Sequence, residues 1–74
     1  MIAVAVTISD DATDVYLVAQ HLAAAGMAVE RIDPTRGMIG GWCRQDVLPK
    51  LRSVRGVATA EPPARSGWGL RQLM

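Results

Sequence analysis

The residues of this chain that could do chemistry are few and scattered. Three carboxylates, Asp10, Asp11 and Asp14, lie close together, while His21, Cys43 and Lys50 are each the sole residue of their type. General acid–base catalysis needs carboxylates that share one substrate. These three sit just ahead of a helical run, where short acids cap a helix and meet the favourable end of its dipole, so they read as caps. A Schiff-base lysine must be desolvated, and Lys50 falls on the exposed face of its helix. Cys43 would need a base beside it to act as a nucleophile, and its inward strand position reads as that of a small buried hydrophobe. His21 borders an apolar helical stripe and reads as a surface or boundary histidine. Gly40-Gly41 lacks the length and the following helix start of a phosphate loop. One Cys and one His can form neither an internal disulfide nor a structural zinc site. The chain reads as a non-enzyme with no catalytic residues, no metal site and no cofactor.

The charge balance nominates no polyanion. Seven arginines and one lysine against seven acids give a formal net charge of +1, too even for a nucleic-acid or acidic-membrane surface. Apolar strand residues follow Met1 directly, with neither a basic leader nor a cleavage site, and no apolar run approaches the ~20 residues of a membrane span. The address this implies is cytoplasmic. Half of the 74 residues are hydrophobic, so the chain is globular. A core this small supplies only ~3–5 kcal/mol of net stability.

Positioning falls to six elements. Ile2, Val4, Val6 and Ile8 alternate with Ala3, Ala5 and Thr7, the pattern of a strand buried mainly on one side. A helix follows to about Ala25, its stripe formed by Val15, Val18, Leu22 and Ala25 and widened by Leu17 and the alanines, with Gly26 as the terminating glycine. Two apolar runs, Met27 to Ile32 and Met38 to Cys43, flank Asp33-Pro34-Thr35-Arg36-Gly37, a β-hairpin signal. Val47, Leu48, Leu51 and Val54 then keep helical spacing, with Asp46 as N-cap, Pro49 in the first turn, and Gly56 closing the helix. Val57 to Glu61 forms the last strand, stopped by Pro62-Pro63.

The order β-α-β-β-α-β is the ferredoxin-like arrangement, an α+β fold with two helices on one face of a four-stranded antiparallel sheet, expected in the strand order 4-1-3-2. If Ile39 and Cys43 face the helices, then Met38, Gly40 and Trp42 face the other way, joined by Ala3, Ala5 and Thr7. A bare apolar face of this kind marks a docking surface. Residues 1–62 form the domain and 63–74 an extended or mobile tail, in which Trp68, Leu70, Leu73 and Met74 are costly to leave in water. RNA-recognition domains share the topology and stack bases on the middle strands, but strand one offers only alanine and threonine outward, so no nucleic-acid partner is expected.

From Leu22 to Glu61 the chain resembles the propeptide-like inhibitors of subtilisin-type serine proteases. The residues that carry the resemblance are Leu22 to Glu30, then Gly37-Met38-Ile39-Gly40-Gly41, then Leu51 to Glu61, where Arg55 replaces the family's usual proline before Gly56. The resemblance implies a non-enzymatic inhibitor or folding assistant whose open sheet face rests on two protease helices, with its C-terminal tail in the active-site cleft as an added strand. Carried over, Ala3, Ala5, Met38 and Trp42 would face the protease, Glu61 would cap a protease helix from the sheet's edge, and Leu70, Arg71, Gln72, Leu73 and Met74 would fill the cleft. The alternative is a small interaction module that forms a homodimer through the same face.

Overall fold

The computed structural model describes residues 1–10 and 14–63. Its elements are β1 (Ile2–Ile8), α1 (Val15–Ala25), β2 (Ala28–Asp33), β3 (Met38–Cys43), a 3-10 turn at Gln45–Val47, α2 (Leu48–Arg52) and β4 (Val57–Glu61). The four strands form one antiparallel sheet in the order β2-β3-β1-β4, which is 4-1-3-2 seen from the other edge. This is the ferredoxin-like α+β arrangement, with β1 and β3 as the central pair.

Each element starts and stops for a local reason. Asp14 caps α1, its carboxylate accepting from the backbone N–H groups of Tyr16 at 2.9 Å and Leu17 at 3.2 Å. Gly26 ends the helix at φ 117°, a left-handed conformation that costs glycine little, and Met27 N–H returns to the Leu22 carbonyl at 3.0 Å. In the β2–β3 turn the Asp33 carboxylate accepts from Arg36 N–H at 3.2 Å, and Gly37 leaves at φ 65°. Gly37 also supplies the carbonyl that accepts from Ile8 N–H at 2.8 Å, tying the hairpin tip to the end of β1.

Between sheet and helices lies the core. Val4, Val6, Ile8, Ile39, Cys43 and Ala60 come from the strands, Val18, Ala19 and Leu22 from α1, Leu51 from α2, and Met27 from the entry to β2. Leu22, Ile39 and Leu51 are its largest fully enclosed side chains.

The structure departs from the sequence reading in both helices. Leu17 is 48% exposed rather than part of the buried stripe, whereas Ala19, one of the alanines expected to widen it, is buried. Residues 17 and 18 are 100° apart on a helix, so a stripe centred on Val18 and Leu22 turns Leu17 outward. The second helix begins two residues later than Asp46 and ends before Gly56. The Asp46 carboxylate is engaged by Arg44, with Nε at 3.3 Å from Oδ1, and makes no cap. Pro49, the second residue of α2, has no N–H to donate, so the chain enters through the 3-10 turn instead. At the other end, Ser53 N–H and Val54 N–H close tight turns onto the Lys50 and Leu51 carbonyls. Gly56, at φ 92°, serves the entry to β4 and not the helix end. Arg52 Nε donates to the Ala60 carbonyl at 3.0 Å and ties α2 to β4.

Candidate functional site

Strand register sorts the sheet's side chains onto two faces. Val6 lies opposite Ile39, Val4 opposite Gly41 and Ile2 opposite Cys43, and these face the helices. The intervening pairs, Ala3 with Trp42, Ala5 with Gly40 and Thr7 with Met38, fall on the other side. Among the described residues no helix lies on that side. Trp42 is 41% exposed there, a large apolar side chain standing beside two alanines, Ala3 on β1 and Ala28 on β2. Its indole N–H donates to the Glu30 carboxylate at 3.1 Å, which fixes the ring's polar edge and leaves its apolar face to solvent.

Glu61, the last residue of β4, lies opposite Ala5 and is exposed. Ala3, Ala5, Met38, Trp42 and Glu61 thus share one face. The tail residues Leu70, Arg71, Gln72, Leu73 and Met74 lie outside the described residues, as does Asp11.

Alternation counted from Ala28 places Glu30 on this face but puts Arg31 on the opposite one. The β2–β3 register shifts between Val29 and Arg31, so Glu30 and Arg31 both stand against Gly40 at a β-bulge. In an unbroken strand they would point to opposite sides. The available signal was Gly40-Gly41 itself, because a glycine pair in a strand marks bulges and close backbone approach.

The isolated chemical residues stay apart. His21 and Lys50 are exposed on different helices, and Cys43 is fully buried in the core. Among the described residues no group of three or more His, Cys, Asp or Glu could hold a metal ion. None of their helices is long and apolar enough to cross a membrane.

Burial pushes the Cys43 thiol above its ordinary value of 9.0, opposed by the N-terminal ammonium and reinforced by Asp46. The thiol is therefore neutral and enclosed. As pH rises through the thiol's ordinary value the unfolded chain releases this proton while the folded chain keeps it, so folding stability falls as pH rises. The expected result is a urea midpoint that declines from about pH 9 upward, with the Cys43-dependent part of the slope absent in Cys43→Ala. An identical slope in that variant would show that the thiol does not matter to the balance.

No family model, no curated protein and no solved structure matches the chain.

Proposed function

We propose that this chain is a non-catalytic protein-docking module that acts as a propeptide-like inhibitor or folding assistant of a subtilisin-type serine protease. The observation that carries the reading is the sheet face that no element of the described residues covers, on which Ala3, Ala5, Met38 and Trp42 present a smooth apolar platform with Glu61 at its edge. Such a platform suits a pair of helices laid across the strands, because small residues let helix backbones approach while Trp42 supplies an aromatic anchor. Glu61 would meet a helix N-terminus, where a carboxylate is stabilised by the unpaired N–H groups. The tail, residues 63–74, would extend into the cleft and add a strand to the protease, with main-chain hydrogen bonds supplying affinity.

The test is inhibition of peptide hydrolysis by a panel of subtilisins, using the intact chain at nanomolar to micromolar concentration. Trp42→Asp places an unpaired charge at the centre of the contact and is expected to weaken inhibition by about a hundredfold or more. The same substitution should leave the circular dichroism spectrum unchanged, since Trp42 contributes nothing to the helix-side core. Equal inhibition by the parent and Trp42→Asp would exclude this face from the contact. No inhibition of any subtilisin at micromolar protein would remove the reading.

A further inference from the structure

We draw no further inference here: the strongest candidate, the apolar sheet face around Trp42 on the side away from the helices, belongs to the site already described, and nothing in the structure shows what covers it.

Discussion

Gly41→Ala is expected to abolish cooperative folding. Gly41 lies in β3 between Val4 on one side and Val29 on the other, so its backbone is held from both directions. A Cβ built there would overlap the Ala28 carbonyl oxygen and lie 3.0 Å from the Ala28 carbonyl carbon and 3.1 Å from the Met27 Cε. A flexible methionine tip could turn aside, but the Ala28 carbonyl is main chain at the first residue of β2 and moves only if the strand moves. Overpacking of this kind costs about 1–3 kcal/mol where side chains can yield, and more where they cannot. A domain of this size has only about 3–5 kcal/mol to lose. In urea, monitored by circular dichroism, the variant should show no folded baseline. A midpoint within about 0.5 M of the parent would mean that β2 can shift cheaply and that the close approach is not needed for the fold.

Leu22→Ala should be nearly as damaging. Leu22 is 0% exposed, on the face of α1 that packs into the core shared with Ile39, Leu51 and the β1 valines. Truncating an enclosed leucine loses its transfer free energy and leaves a cavity, together about 2–5 kcal/mol, comparable with the whole net stability. Leu17 supplies the control, being the same residue type on the same helix but 48% exposed. Leu17→Ala should shift stability by no more than about 0.5 kcal/mol. If the two variants melted together, helix propensity rather than packing would be the source of α1's stability.

The Leu17 and Leu22 contrast also shows what could be read from the chain itself and what could not. Period-2 alternation placed β1 and β3 at their observed bounds, because each is buried on one side only and a one-residue slip would invert every side chain. Glycines 26 and 37 announced the helix end and the turn, since few other residues accept their positive φ. Orientation around the helix axis was less legible: an alanine-rich helix offers several inward arcs of similar hydrophobicity, and only the sheet selects between Leu17 and Ala19. The start of the second helix depended on which partner Asp46 chose, and Arg44, two residues away, outcompeted the backbone. On the open face, Ala3, Ala5, Met38 and Trp42 followed from alternation, whereas Arg31 did not. A bulge adds one residue to one strand only, and nothing in the periodicity of β2 marks where that residue goes.

The place of β1 in the sheet has a consequence for how the chain reaches this state. The first strand made is central, and both its neighbours, β3 and β4, are made later, the second of them ending at Glu61. Pairings between residues so far apart in sequence require large loops to close before any contact rewards them, so folding is slow for a chain of this length. A chain emerging from its N-terminus can form the β2–β3 hairpin locally, yet it must carry Ile2–Ile8 without its second neighbour until β4 has left the exit channel. During that interval the most hydrophobic of the four strands has an open edge, and completion of this sheet waits on β4.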